Sequence, residues 1–249
     1  LAAQQHANAL VLEVKPASGI LVYDSKTDFA QAYGTGGSLD LAALVQEIKD
    51  GERDIYLVAE LCCLNDSAVP GRYPGVSLKK ADGSNYTDDS GGWIDPYSTE
   101  YRKYIADMSK ELAGMGFDEI CLNGIRHPVS DGAGFLYPGS SSPSSTPVSA
   151  CSGFAISVTR SLRNLDAAVS VRLNSDAAFT GGEDAAQGQN AELFFKVFDR
   201  VYYYVDASAA VLALDSAAKY VTLGEVRLRF VPMCYGRSPE TDCWVFLTG

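Results

Sequence analysis

The sequence predicts an α/β fold, a (β/α)8 TIM barrel, from two observations. Short, β-branched apolar runs alternate with amphipathic helix patterns along most of the chain, and repeated strand–helix units predict parallel strands. No G-x-G-x-x-G or P-loop glycine pattern follows any strand, which disfavours the alternative of an open, doubly wound sheet. The length of 249 residues fits one such barrel, and we expect a single domain over residues 1–249.

The first half of the chain contains three predicted strands, at residues 9–14, 55–61 and 119–123. Ser38 is expected to cap the helix that follows the first strand, and Ser98 the helix before the third. The connection from Asn65 to Trp93 is long and rich in Gly, Asp and Ser. Such length is typical of a functional loop.

The second half contains four predicted strands, at residues 168–173, 201–205, 229–235 and 243–247. A low-complexity stretch from Pro138 to Ala150 predicts a mobile surface loop. Helices are expected near residues 154–165, 185–198 and 209–220. The chain opens with a pattern typical of the tail of a helix, so we expect the remaining barrel strand to precede Leu1.

Composition excludes several classes of function. The formal net charge of -11 argues against a nucleic-acid or anionic-membrane partner, which would need clustered Lys and Arg. No apolar run is long enough to cross a membrane. No metal or cofactor is expected, because neither histidine, His6 nor His127, belongs to a cluster with ligand spacing. Of the six cysteines, the five in or beside apolar runs, Cys62, Cys63, Cys121, Cys234 and Cys243, are expected to be buried thiols, with a Cys234–Cys243 disulfide left open.

Three motifs make the sequence specific. They are Trp93-Ile-Asp-Pro-Tyr97, Gly116-Phe-Asp-Glu-Ile120 and Asn123-Gly-Ile-Arg-His-Pro128, and an early block, residues 8–25, accompanies them. Together they resemble a bacterial glycoside hydrolase domain family of the TIM-barrel glycosidase superfamily. The resemblance implies a carbohydrate substrate or ligand, such as a polysaccharide or cell-envelope glycan, and an extracytoplasmic location, either secreted or anchored to the envelope.

The chain departs from the family pattern at acidic positions. Asn123 stands where the family has Asp, whereas Glu13 keeps a carboxylate where the family has Asp. Glu60 ends a strand where the family often has Arg, and Asp206 stands where it has Tyr. The carboxylates are therefore differently distributed in this chain.

Residues at the carboxyl ends of barrel strands point into the active-site mouth, and glycoside hydrolysis ordinarily needs two carboxyl groups. The candidate catalytic residues are Glu13, Glu60 and Asp206. The candidate substrate-binding residues are Lys15, Trp93, Asn123, Arg126, Arg172, Tyr204, Tyr235 and Trp244.

Each carboxylate also has a purely structural interpretation. Glu13 and Lys15 would form an ion pair, Glu60 would be neutralised by Arg126 or Lys15, and Asp206 would cap the following helix. Two main hypotheses follow. The first is a glycoside hydrolase, and the second is a catalytically inactive glycan-binding barrel, suggested by Asn123. A third, an unrelated α/β enzyme such as an isomerase, requires that the resemblance be superficial.

Overall fold

The computed structural model describes residues 8–129, 134–142, 144–222, 224–235 and 244–246, without the side chains of residues 207, 235 and 244–246. Its strands are β1 (Ala9–Lys15), β2 (Tyr56–Cys62), β3 (Lys79–Lys80), β4 (Thr87–Asp88), β5 (Gly91–Gly92), β6 (Glu119–Asn123), β7 (Phe135–Leu136), β8 (Ala168–Leu173), β9 (Glu183–Asp184), β10 (Gln189–Asn190), β11 (Arg200–Tyr204), β12 (Phe230–Tyr235) and β13 (Trp244–Phe246). Its helices are α1 (Asp28–Tyr33), α2 (Leu41–Lys49), α3 (Val69–Arg72), α4 (Thr99–Met115), α5 (Pro147–Ser161), α6 (Asp176–Gly181), α7 (Ala191–Val197), α8 (Ala210–Ala217) and α9 (Val226–Arg229), with 3-10 turns at Pro74–Val76 and Ala207–Ala209.

Seven strands form one parallel sheet in the order β1-β2-β6-β8-β11-β12-β13. This order follows the chain, as in a TIM barrel, and β1 and β13 are the two edges of the sheet in the part that the structure describes. Each predicted apolar run forms one of these strands, and the first six agree with the prediction to within one residue at either end. The predicted α/β class of TIM-barrel type is confirmed.

The two faces of the sheet have different environments. One face packs against the helices in a large apolar core. The other, which we call the inner face, has a smaller middle layer formed by Val58, Cys121, Tyr202, Val231 and Met233. Because side chains alternate along a strand, the residues two positions after Val58, Cys121 and Tyr202 also lie on the inner face. They are closer to the carboxyl ends of the strands.

A buried ion pair lies on the inner face at the opposite end of the strands. Arg200 is paired with Glu119, which is fully buried. The hydroxyl of Tyr56 donates to Oε2 of Glu119 at 2.9 Å and accepts from Nη1 of Arg200 at 2.8 Å. These contacts join β2, β6 and β11 below the middle layer.

Helix capping follows the prediction in one case and differs in two. Ser98 caps α4 by accepting a hydrogen bond from Tyr101 N. The expected cap at Ser38 is wrong, because Asp40 lies directly before α2 and its side chain accepts from Ala43 N. Asp206 does not cap α8: the residue at the N-cap position is Ala209, which has no side-chain cap.

The insertions between the strands are more ordered than predicted. The connection after β2 contains α3, β3, β4 and β5. The stretch predicted as a loop up to residue 150 ends earlier, because Thr146 caps α5 with a capping box and Pro147 occupies its first turn. The helix expected over residues 185–198 begins only at Ala191, after the β9–β10 hairpin.

Cys62, Cys63 and Cys121 are buried thiols, as predicted, and Cys151 is buried as well. Cys234 is also buried, but Cys243 lies outside the described residues, and so does any disulfide between them. The start of the chain, with His6, lies outside them as well. Within the described segments, no helix has both the length and the apolar character that a bilayer crossing requires.

Candidate active site

Glu60 is the centre of a polar cluster at the carboxyl end of the inner face. Its Oε1 accepts a hydrogen bond from Asn123 Nδ2 at 3.0 Å and is paired with Arg172 Nη1 at 3.1 Å. Arg172 Nη2 also lies 3.6 Å from the sulfur of Met233. Strands β2, β6, β8 and β12 therefore meet at one carboxylate that is only 8% exposed.

Burial is the main influence on Glu60 and raises its pKa above the ordinary value. The charge of Arg172 and the hydrogen bond from Asn123 oppose this effect, while the nearby carboxylate of Glu13 adds to it. Both donors use Oε1, so Oε2 has no hydrogen-bond partner among the described residues. A carboxyl group in this state can hold a proton on Oε2 and release it to a ligand.

Glu13 lies beside Glu60 on the neighbouring strand. The two residues are direct partners in the parallel register of β1 and β2, so their side chains leave the sheet on the same face. Glu13 is exposed, in contrast to Glu60. The register therefore places two of the three predicted carboxylates side by side on one face of the sheet.

A chain of amides continues from Glu60 along β6 and β8. Asn174 Nδ2 donates to Asn123 Oδ1 at 3.2 Å. Gln189, which is fully buried, accepts from Asn174 N at 2.8 Å, and its Nε2 lies 3.4 Å from Asn174 Oδ1 and 3.2 Å from the carbonyl oxygen of Ile125. The β9–β10 hairpin is thus connected to the carboxylate through three side-chain amides.

Lys15 does not line the mouth, contrary to the prediction. The register of β1 against β2 shifts between Glu13 and Lys15, and the irregularity interrupts the alternation of side chains. Lys15 is fully buried and forms an ion pair of 2.8 Å with Asp66, which is also fully buried. Burial is the largest single influence and lowers the pKa of Lys15, but the charges of Asp66, Cys62 and Tyr104 and the hydrogen bond to Asp66 together outweigh it and raise the pKa to about 12. The expected Lys15–Glu13 and Lys15–Glu60 pairs are both wrong.

The Lys15–Asp66 pair holds the end of β1 to the loop after β2. Nζ of Lys15 donates to the carbonyl oxygen of Cys62 at 2.8 Å, and Asp66 accepts from Tyr101 OH at 2.9 Å and from Val69 N at 2.8 Å. Gly19 has a φ of 78°, and a Cβ there would overlap Oδ1 of Asp66. The glycine is therefore needed at this close approach.

Trp93 is 1% exposed and cannot stack against a sugar, which corrects its assignment as a substrate-binding residue. Arg126 covers its ring, with the guanidinium carbon 5.2 Å from the ring centroid. Nη1 of Arg126 also lies 3.4 Å from Oε1 of Gln187. Arg126 therefore organises the loops beside the site, and the cation that neutralises Glu60 is Arg172 instead.

The remaining predicted residues are Asp206, Tyr204, Tyr235 and Trp244. Asp206 is exposed, and only its main-chain carbonyl has a described hydrogen bond, accepted from Ala209 N. Tyr204 is 43% exposed at the end of β11. The side chains of Tyr235 and Trp244 are outside the described set. The described contacts therefore group Glu13, Glu60, Asn123 and Arg172, and none of them joins the side chain of Asp206 to this group.

The motif around His127 has a structural role. His127 is 1% exposed, and its Nε2 lies 2.9 Å from Tyr137 OH, while Nδ1 lies 3.1 Å from the carbonyl oxygen of Pro128. Burial lowers the pKa of His127 to about 4, so the ring is neutral at pH 7. Of the residues that the structure describes, no group of three or more His, Cys, Asp or Glu is arranged to hold a metal ion.

Sequence reasoning missed Asp66 and Gln189. Asp66 lies in the long loop among several other acidic residues, and no spacing distinguishes it from them. Gln189 lies in a two-residue strand inside a segment that was predicted as helix. No sequence signal identified either residue.

Comparison with known proteins adds to this geometry. The model of a family described as "Putative glycosyl hydrolase domain" matches residues 1–205. Among curated proteins, none matches the chain in sequence.

Several solved structures are similar in fold. A hypothetical protein from Ruminiclostridium thermocellum is 23% identical with a TM-score of 0.58, over 68% of this chain and 85% of that one. The PgaB (BpsB) glycoside hydrolase domain from Bordetella bronchiseptica is 14% identical with a TM-score of 0.59, over 93% and 75%. A β-N-acetylhexosaminidase from Bacteroides fragilis is 13% identical with a TM-score of 0.59, over 94% and 45%. At these identities, the likeness shows a common fold.

Proposed function

Because the chain belongs to this glycosyl hydrolase domain family, we propose that it hydrolyses glycosidic bonds in a polysaccharide or cell-envelope glycan, with Glu60 as the general acid and Glu13 as its partner. The single observation that supports this most strongly is the pairing of Glu13 with Glu60 in the β1–β2 register, one exposed and one buried. Two carboxyl groups in different environments are what this reaction requires.

The roles follow from the surroundings of each carboxyl group. Glu60 has a raised pKa and an unpartnered Oε2, so it can deliver a proton to the leaving oxygen. Glu13 is exposed and has no described ion pair, so it can face the anomeric carbon as a carboxylate. Arg172 and Asn123 hold Glu60 in place, and the exposed ring of Tyr204 offers a surface for a sugar.

The register also favours retention of anomeric configuration. Neighbouring strands lie about 4.8 Å apart, and carboxyl groups about 5–5.5 Å apart are typical of retaining glycosidases, whereas inverting enzymes need roughly 6.5–9.5 Å. Directly paired residues on adjacent strands fit the shorter separation better. Glu13 would then act as the nucleophile, and Glu60 would change from acid to base in the second step.

The experiment is proton NMR of the protein incubated with soluble neutral, N-acetylated and amino polysaccharides. We expect new reducing-end anomeric signals in at least one sample, with the first-formed anomer matching the configuration of the cleaved bond. First formation of the opposite anomer would contradict the pairing of Glu13 with Glu60. A boiled sample provides the control for spontaneous hydrolysis.

A second candidate function is glycan binding without hydrolysis, and the observation that favours it is Asn123. In the family pattern an Asp would stand at this position, whereas the amide of Asn123, which contacts Glu60 in this chain, can neither donate a catalytic proton nor act as a nucleophile. For this candidate, we expect the wild-type protein to bind glycans without cleaving them and Asn123→Asp to gain hydrolysis. Cleavage by the wild-type protein at a rate that Asn123→Asp does not increase would rule it out.

A further inference from the structure

We propose that Gln189 is a positioning residue that fixes the direction of the amide hydrogen bonds leading to Glu60, and so decides which oxygen of that carboxyl group can hold a proton. The proposal deepens the function proposed above, since it specifies how the acid is prepared. Gln189 itself touches neither Glu60 nor the open part of the site.

The direction of these hydrogen bonds is set by two main-chain groups. The amide nitrogen of Asn174 can only donate, and the carbonyl oxygen of Ile125 can only accept. Gln189 bridges them, with Oε1 at 2.8 Å from the first and Nε2 at 3.2 Å from the second. Because the backbone cannot reverse its polarity, the amide of Gln189 has a single satisfactory orientation.

The side chains then transmit this orientation to the carboxylate. Nε2 of Gln189 faces Oδ1 of Asn174 at 3.4 Å, so Asn174 presents its Nδ2 to Oδ1 of Asn123 at 3.2 Å. Asn123 is left with its Nδ2 toward Oε1 of Glu60 at 3.0 Å. Reversal of any one amide would place two oxygens or two NH2 groups face to face.

This orientation determines which carboxyl oxygen of Glu60 can be protonated. Oε1 receives the Asn123 donor and the Arg172 donor, so it cannot also hold a proton without losing one of them. The proton of the acid form is therefore confined to Oε2. Among the described residues, the charged or titratable groups that interact with Glu60 are Glu13 on β1, Cys63 directly after β2, Cys121 on β6 and Arg172 on β8.

The test is a pH titration of Glu60 by NMR in protein labelled with 13C at glutamate carboxyl carbons, with the signal assigned from the spectrum of Glu60→Gln. Gln189→Glu keeps the acceptor for Asn174 N but replaces the donor by an oxygen. The side-chain amides of Asn174 and Asn123 are then expected to reverse their orientation. The charged form of Glu60 would lose the hydrogen bond that Asn123 donates to it. We expect the pKa of Glu60 to rise by about one unit.

The control distinguishes a pKa shift transmitted through the hydrogen-bonded amides from a direct electrostatic effect of the added charge. Asn174 is exposed, and Asn174→Ala interrupts the chain between Gln189 and Asn123. If the chain transmits the effect, Gln189→Glu made in the Asn174→Ala background leaves the Glu60 titration unchanged. An undiminished shift in that background would show a through-space effect of the new charge and overturn the proposal.

A second variant keeps the test decisive if the buried acid prevents folding. Gln189→Met has a side chain of similar length without charge, and it removes the constraint on Asn174. We expect a smaller upward shift of the Glu60 pKa, of about half a unit, which disappears with Asn174→Ala. An unchanged titration in Gln189→Met would refute the proposal. Because the titration needs no substrate, its outcome is independent of whether hydrolysis is ever observed.

Discussion

Glu60→Gln is expected to lower the rate of glycan hydrolysis by about 10²–10⁴-fold, the usual contribution of a general acid. The amide oxygen can still accept the hydrogen bonds from Asn123 and Arg172, so the site keeps its shape. What disappears is the proton that Oε2 carries to the leaving group. The rate is measured from reducing-end release at the pH optimum of the wild-type protein.

A matched control makes this result specific. Glu47 is an exposed glutamate on α2 with no described contact to the cluster, and Glu47→Gln makes the same chemical change there. We expect its rate to equal that of the wild type. A Glu60→Gln variant that hydrolyses glycans as fast as Glu47→Gln would exclude Glu60 as the acid.

Asp66→Asn is expected to lower the free energy of unfolding by about 3–5 kcal/mol, because removal of one partner leaves a buried charge without compensation. Lys15 and Asp66 are both fully buried, and Lys15 has no route to solvent in the folded state. The substitution also removes the negative charge that accepts hydrogen bonds from Tyr101 OH and from the main-chain nitrogens of Ala68 and Val69. The measurement is urea-induced unfolding followed by circular dichroism at pH 7.

The control for this variant is Asp24→Asn. Asp24 and Lys26 form an ion pair in which both side chains are more than half exposed, and solvent-exposed pairs contribute little to stability. If Asp66→Asn is no more destabilised than Asp24→Asn, the buried pair does not hold the end of β1 in place. The position of Glu13 would then need another explanation.

The sheet was predictable because its strands are buried on both faces. Continuous apolar runs such as those of β2 and β8 have few alternative structures, and their spacing along the chain leaves room for one helix between strands. The same property identified Glu60, since a carboxylate within an apolar run must be buried and must have a partner. The identity of that partner was not predictable. Arg172 is 112 residues away in the sequence, and only the order of the strands brings it near.

The errors at the site have local causes. Lys15 was assigned to the mouth because it lies at the carboxyl end of the first strand, but the irregularity between Glu13 and Lys15 interrupts the alternation of side chains there. Trp93 was assigned from its residue type, but its exposure depends on how the long loop folds against Arg126. Gln189 could not be found from spacing, because its role depends on two backbone groups in other segments.

The most direct test of the account is a crystal structure of Glu60→Gln with a bound oligosaccharide. We expect a glycosidic oxygen within hydrogen-bond distance of the side-chain amide at position 60 and the adjacent anomeric carbon facing the carboxylate of Glu13. A sugar seated elsewhere, for example against Asp206 with no contact to either glutamate, would contradict the assignment of this pair as the hydrolytic site.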